Sequence, residues 1–491
     1  MKKGKQENPC ASAWDPEKDY GSLLSSMEAY SSSKIYPFHM PGHKRNTKKF
    51  GNRLPYGIDM TESQGMADLH QPEGTLLRHQ EELARAFGAK KSFYMVNGST
   101  GGNLAGIRTL FDDGDAVLVG RNCHQSVYHA LELFDLTPYY LLPEKVESFG
   151  VYGSYDPNKI EELLNLHPQI KGAILTSPTY EGIGSDIETI AKIIHSKDGY
   201  LMVDQAQGAH FHWMDEKKDA MAQGADIAIE SLHKTLPSLT STSMAHLSSR
   251  VDEKRMAWNL SIFETTSPSH LLLASIDQCL LYMNAHGKKD LNKLQSWIED
   301  LDEKAQCLKN LKIFPSKVET GKVSGVFFHD PTRIFISTLS SSLSGKDLQK
   351  ALREKGFEAE MAYGDELVLI GTVGDEKKVY ERLWKAVKEI DQALSPLEKE
   401  KSPLFPPLPK RALTIYEASR KKGKMLSVDQ ALGKISGEYV WVYPPGIPLL
   451  CPGEIFDQDC LELLNALEAS GNPIKSTYGT LPEEIMVLGV D

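Results

Sequence analysis

Three polar stretches carry residue types that could do chemistry together. Asn97-Gly98-Ser99-Thr100-Gly101-Gly102-Asn103 offers backbone N–H groups and hydroxyls ahead of an apolar, helix-like stretch, the makings of an anion cradle. Taken alone, the same loop also reads as a tight glycine-rich turn with no ligand. Asp204 closes the apolar run Tyr200-Leu201-Met202-Val203, so its carboxylate sits at the end of a buried strand. A helix cap, or a partner for a nearby base, is the alternative there. Lys234 follows 30 residues later, with Ser231 three positions before it and His233 adjacent. Desolvation lowers a lysine's pKa, and a neutral amine can add to a carbonyl carbon; a solvated surface lysine is the alternative.

Pyridoxal phosphate would unite the three. Its dianionic phosphate needs N–H and hydroxyl donors, its pyridine nitrogen needs a carboxylate to stay protonated, and its aldehyde carbon needs an amine. His124, in Arg121-Asn122-Cys123-His124, is a candidate to lie flat against such a ring, or else a loop histidine bonded to backbone. Neither G-x-x-x-x-G-K-[ST] nor G-x-G-x-x-G occurs, so the loop at 97–103 is not one of those nucleotide-binding turns.

The elements that must position these residues are legible as periodic runs. Ser92–Val96, Ala116–Val119, Gly172–Thr176, Tyr200–Val203 and Asp226–Ile229 are short apolar runs separated by stretches long enough for crossover helices. They predict an α/β fold on a mostly parallel sheet covered on both faces, with its chemistry at the carboxyl ends of the strands. Leu76–Phe87 reads as a helix stopped at Gly88. Thr332–Thr338, Gly345–Lys355, Leu367–Ile370 and Asp375–Ile390 alternate strand and helix in a smaller α+β unit. Its last helix is expected to bury Val379, Tyr380, Leu383, Trp384 and Val387. The proline-rich stretch 402–409 predicts a stiff connector to a final unit. The expected division is an N-terminal arm over 1–75, a large domain over 76–310, a small domain over 311–395 and a C-terminal domain over 396–491.

Composition narrows the class. The chain has 491 residues, enough for about three domains at roughly 150 residues each. A net charge of −11 supplies no general field for phosphate backbones or anionic lipid, which argues against nucleic acid as a partner. Six dispersed cysteines without a C-x-x-C pair read as reduced thiols, so neither a metal site nor a disulfide framework is expected. No uncharged apolar run approaches the ~18 residues of a membrane span, and no signal-peptide core follows the charged N-terminus. A cytoplasmic protein without membrane attachment is expected.

Several motifs, spread nearly end to end, carry a resemblance. They are Pro37-Phe38-His39-Met40-Pro41-Gly42-His43-Lys44, Asp68-Leu69-His70-Gln71-Pro72-Glu73-Gly74, Thr176-Ser177-Pro178-Thr179-Tyr180, Ser231-Leu232-His233-Lys234-Thr235-Leu236-Pro237 and Tyr443-Pro444-Pro445-Gly446-Ile447-Pro448. On these the chain resembles the bacterial ornithine/lysine/arginine decarboxylases of the aspartate-aminotransferase fold (fold type I), in the short form that lacks an N-terminal wing domain. The resemblance implies decarboxylation of arginine, lysine or ornithine to agmatine or a diamine plus carbon dioxide. Other fold type I chemistry (aminotransferase or lyase) and a catalytically silent cofactor-binding regulator are the alternatives.

The resemblance also implies roles. Lys234 holds pyridoxal 5'-phosphate through an imine, Asp204 contacts the pyridinium nitrogen and His124 stacks on the ring. Ser99, Thr100 and Ser231 bind the phosphate, Gly101, Thr179 and Ala206 complete the cofactor site, and His233 lies close to the imine. Members form homodimers or higher homo-oligomers with shared active sites, so residues near Thr266 and Ser267 are expected to serve a neighbouring subunit. The family's Asp-Glu-Ala-His is here Asp204-Gln205-Ala206-Gln207, and its tyrosine after Ser-Pro-Ser is His270. Glu454, just beyond the Tyr-Pro-Pro motif, is a candidate partner for the substrate's distal cation, with a surface or capping carboxylate as the alternative.

Overall fold

Each of the five apolar runs is a strand, and two further strands join them. In the computed structural model these are β1 (Lys91–Met95), β2 (Ala116–Gly120), β3 (Thr137–Leu141), β4 (Ile170–Thr176), β5 (Tyr200–Asp204), β6 (Ile227–Ser231) and β7 (Ser243–Leu247). The sheet order is β1-β7-β6-β5-β4-β2-β3. Only β7 is antiparallel to its neighbours, β1 and β6. The residues described are 33–38, 42, 44, 46–50, 68–318, 322–395, 397, 405, 408–442, 447–469, 474–478 and 480–489. Most of the expected arm, most of the proline-rich connector and Tyr443-Pro444-Pro445-Gly446 lie outside them.

Alternation along the strands builds two cores. Val117, Val119, Ile174 and Met202 pack with helices α2 (Gly98–Leu110) and α3 (Gln125–Leu133) on one face. Leu118, Ala173, Leu175, Leu201 and Val203 pack with α4 (Pro157–Leu166) and α5 (Ile187–His195) on the other. Burial on both faces is why the strands read as unbroken apolar runs. Helix α1 (Gly74–Ala86) starts two residues before the predicted position, and Gly88 takes the left-handed conformation (φ +63°) that ends it.

Strands β4 and β5 leave no room for a side chain at Gly172. A Cβ there would meet the amide nitrogen and carbonyl oxygen of Tyr200, neither of which can move without breaking the ladder. Gly172→Ala is therefore expected to destabilise the fold by about 1–3 kcal/mol. The measurement is the urea midpoint, and an unshifted midpoint would refute the close approach.

The smaller unit is the antiparallel sheet β8 (Lys312–Ile313), β9 (Arg333–Ser337), β10 (Met361–Tyr363) and β11 (Glu366–Ile370), in the order β8-β9-β11-β10. Helices α6 (Gly345–Glu354) and α7 (Lys377–Ala393) cover it. Of the five residues expected to be buried on α7, Trp384 is only partly covered, at the rim of the core. The same core continues into residues 273–301 and into Phe38 of the arm, where Tyr36–Phe38 pairs in parallel with Phe357–Ala359.

The C-terminal unit pairs Gly423–Ser427 with Glu484–Leu488 and packs helix α8 (Gln458–Ala469) through Leu463, Leu464 and Leu467. It is tied to the main sheet by Arg121, just past β2. The guanidinium donates to both carboxylate oxygens of Glu454, at 2.6 and 2.8 Å, and lies over the Tyr140 ring. Both partners are 1 % exposed.

Candidate active site

The carboxyl ends of β4, β5 and β6 open onto one cavity whose wall includes Lys234, Asp204, His124, Thr179 and Ala206. Five of the expected residues therefore meet around a single space. Lys234 lies in a one-turn helix, Leu232–Thr235, that begins where β6 stops. Burial lowers the pKa of its amine, while Asp204 and Glu360 pull the other way.

Asp204 is 3 % exposed and held from two sides. Its Oδ2 accepts from Asn103 Nδ2 at 2.9 Å, and its Oδ1 accepts from the Ala206 N–H at 3.1 Å. The same Asn103 amide donates to Ser126 Oγ at 2.9 Å, and Ser126 Oγ lies 2.9 Å from His124 Nδ1. Because the Ser126 N–H also donates to Nδ1, at 3.2 Å, that nitrogen is an acceptor and the neutral ring carries its proton on Nε2. Burial pushes the His124 pKa down to about 4, with Asp204 opposing. The residue is exposed where it lines the cavity, and its ring is neutral at neutral pH. His124 bonds to backbone as a cap of α3, one of its two readings, and it also lines the cavity.

The remaining expected cofactor residues do not line this space. Ser99 and Ser231 bring their hydroxyls into direct contact, both buried, at the N-terminus of α2. Thr100 is exposed beside them and Gly101 is buried. His233 turns away, its Nδ1 donating to the Thr242 carbonyl at 3.1 Å. Thr266 and Ser267 are exposed and stand off the cavity wall.

This donor set suits pyridoxal phosphate. Paired hydroxyls at a helix N-terminus suit a phosphate, and an anchored buried carboxylate suits a pyridinium. A desolvated amine suits a carbonyl carbon. Thr176 Oγ1, on the cavity wall, and Asn103 Oδ1 are buried with no hydrogen-bond partner among the described residues, as expected where a ligand completes the set.

The two glutamines in place of ionisable residues have partners of their own. Gln205 points away from the cavity and donates to Asp219 and Glu230, at 3.0 and 2.5 Å. Burial holds the Glu230 carboxyl well above the usual carboxylate range. Gln207 stays on the cavity wall, and its Oε1 accepts from buried Arg333 at 2.9 Å.

The expectation for Glu454 is corrected. Both its oxygens are taken by Arg121, it is buried, and it does not line the cavity, so it is neither a surface carboxylate nor free for a substrate cation. Asn103, Ser126 and Arg333 were missed. Asn103 had a signal: it is a polar residue one position past Gly102, where α2 lies against Met95 and Ile229 of the sheet, and so needed a buried partner.

Residues 22–379 match the major domain of the Orn/Lys/Arg decarboxylases, and residues 401–474 match that family's C-terminal domain. The chain belongs to this family. Among relatives of the Orn/Lys/Arg decarboxylase family, the arginine decarboxylase of Bacillus subtilis (strain 168) is 30% identical over 478 residues, covering 95% of this chain and 97% of that protein. The constitutive lysine decarboxylase of Escherichia coli (strain K12) is 23% identical, covering 91% and 76%. The crystal structure of the Francisella novicida lysine decarboxylase superposes with a TM-score of 0.75 over 95% of this chain and 83% of that one, at 18% identity, a likeness of fold. No described helix is long and apolar enough to cross a membrane.

Proposed function

We propose that this member of the family is a pyridoxal 5'-phosphate-dependent carboxy-lyase that removes the α-carboxylate of a basic L-amino acid, arginine, lysine or ornithine. The observation that carries the reading is the meeting of Lys234 and Asp204 in one cavity, the first a desolvated amine and the second a buried carboxylate anchored by Asn103. When bound, the cofactor supplies a protonated ring that draws in the electron pair left on Cα as carbon dioxide departs.

Each residue then has a defined task. Asp204 would keep a proton on the pyridine nitrogen, and the Asn103 and Ala206 hydrogen bonds hold its carboxylate in place without a mobile partner. His124, neutral and fixed through Ser126, would flank the ring. Ser99, Thr100, Gly101 and Ser231 would hold the phosphate, and Thr179 and Ala206 would bound the ring. Lys234 Nζ would attach the cofactor and return a proton to Cα. His233 is the second candidate donor in sequence, but its Nδ1 is committed to Thr242. A cytoplasmic homo-oligomer with sites shared between subunits belongs to the same reading.

Incubating the purified protein with arginine, lysine and ornithine side by side tests this. Carbon dioxide and the matching amine are expected from at least one, and keto acid without carbon dioxide would overturn the proposal. Asp204→Asn is expected to lower kcat by about 10²–10³-fold while the cofactor still attaches, since an amide cannot stabilise a pyridinium charge. An undiminished kcat would remove Asp204 from the mechanism.

A further inference from the structure

We infer that Glu181 and Glu366, with Tyr363 beside them, form the subsite that takes the distal cationic group of the substrate. This rests on the reading of the cavity as the site of a basic amino-acid decarboxylase.

The three residues come from separate elements and meet on the wall of the cavity that holds Lys234. Glu181 lies in the turn after β4, Tyr363 ends β10 and Glu366 starts β11. The Tyr363 hydroxyl donates to Glu181 Oε1 at 2.9 Å, which fixes one carboxylate. The same hydroxyl also acts on the other carboxyl, without meeting its second oxygen. Glu366 is 4 % exposed, and its Oε2 is buried with no hydrogen-bond partner among the described residues. No lysine or arginine pairs with it there. Arg333 eases the charge on Glu181, but its two terminal nitrogens donate to Gln207 and Thr332 and it faces Asp330.

Two like charges on one dry wall oppose each other. Burial raises the pKa of both acids, and Glu181 and Asp365 raise that of Glu366 further. A buried carboxylate without a donor is costly and is retained where something else completes it. An ammonium or guanidinium would bring both the missing N–H donors and the opposite charge.

The location also suits a substrate charged at both ends. The charges acting on Lys234 are Asp204, Glu360 and Arg333, whereas those acting on Glu366 are Glu181 and Asp365. Of these charges Arg333 alone is shared, acting on Lys234 and on Glu181, so the acid pair is largely an electrostatic group of its own. Such separation is what a basic amino acid requires, because several methylenes divide its α-amine from its side-chain cation.

The test pairs binding with turnover. Agmatine, cadaverine and putrescine are titrated calorimetrically into the full chain, and arginine, lysine and ornithine are assayed as substrates with the cofactor-loaded enzyme, for the unaltered protein, E181Q and E366Q. For the best-bound amine, each variant is expected to weaken binding at least about tenfold, with KM rising in parallel and kcat at saturation changing less than about threefold. The melting temperature of E366Q is expected to hold or rise, because a repulsive contact is removed. Unchanged binding and KM overturn the subsite, as does a fall in melting temperature and kcat with KM unaltered. Should either glutamine variant fail to fold, Y363F carries the test, with a severalfold rise in KM expected and an unchanged KM overturning the inference. Amine binding that depends on both acids, without release of carbon dioxide, would leave the subsite standing and defeat the decarboxylase reading. Failure of the unaltered chain to bind any of the amines would defeat the subsite.

Discussion

Lys234→Ala is expected to lower decarboxylation of every basic amino acid by about 10⁴-fold or more while leaving the melting temperature close to that of the unaltered chain. The side chain is the one amine among the expected residues on the cavity wall, and burial keeps it easier to deprotonate than an ordinary lysine. Lys234→Arg should fail as completely, because a guanidinium does not lose its proton. In the unaltered protein, attachment of the cofactor should speed up as pH rises and level off below the usual lysine range, since the depressed pKa makes the neutral amine available at lower pH. Borohydride reduction followed by peptide mapping should place the adduct at Lys234 and nowhere in the alanine variant. Residual activity within tenfold of the unaltered enzyme would show that another group does the work.

Glu454→Ala is expected to cost about 3–5 kcal/mol of stability, the largest loss anticipated from a single change far from the cavity. Arg121 is buried and gives both arms of its guanidinium to Glu454, so deleting the carboxylate strands a charge between the sheet and the C-terminal unit. Stacking over Tyr140 remains and offsets only part of this. Glu454→Gln keeps one acceptor and should lose less. The measurement is the urea midpoint, together with KM for basic substrates at a temperature where the variants stay folded. A loss under about 1 kcal/mol, or a KM that rises while stability holds, would return Glu454 to the substrate.

What was legible in the sequence depended on how local its cause was. The strands at 116–120, 170–176, 200–204 and 227–231 are buried on both faces, and that requirement is written in each run by itself. β7, Ser-Met-Ala-His-Leu, hid because the polar His246 breaks its apolar run, although that ring is buried between Ser92 and Phe87. β3 hid because of Pro138, which an edge strand tolerates and a central one does not. The catalytic-type residues were readable because Ser231, Lys234 and Asp204 sit at strand ends where the fold class puts chemistry. Glu454 was misread because its partner lies 333 positions away, and no local pattern announces an ion pair of that span. Glu181 and Glu366 escaped for the same reason, since each is an unremarkable acid until the chain brings them to one wall.

Helix α8 supplies the last of these distant contacts, for Leu463 and Leu467 stand on the cavity wall opposite chemistry encoded more than two hundred residues earlier. During synthesis Lys234 leaves the ribosome before β7, which joins β1 to β6, and long before Tyr363, Glu366, Leu463 and Leu467, which complete the wall. The chamber around the reactive amine is therefore completed only after most of the chain has been made.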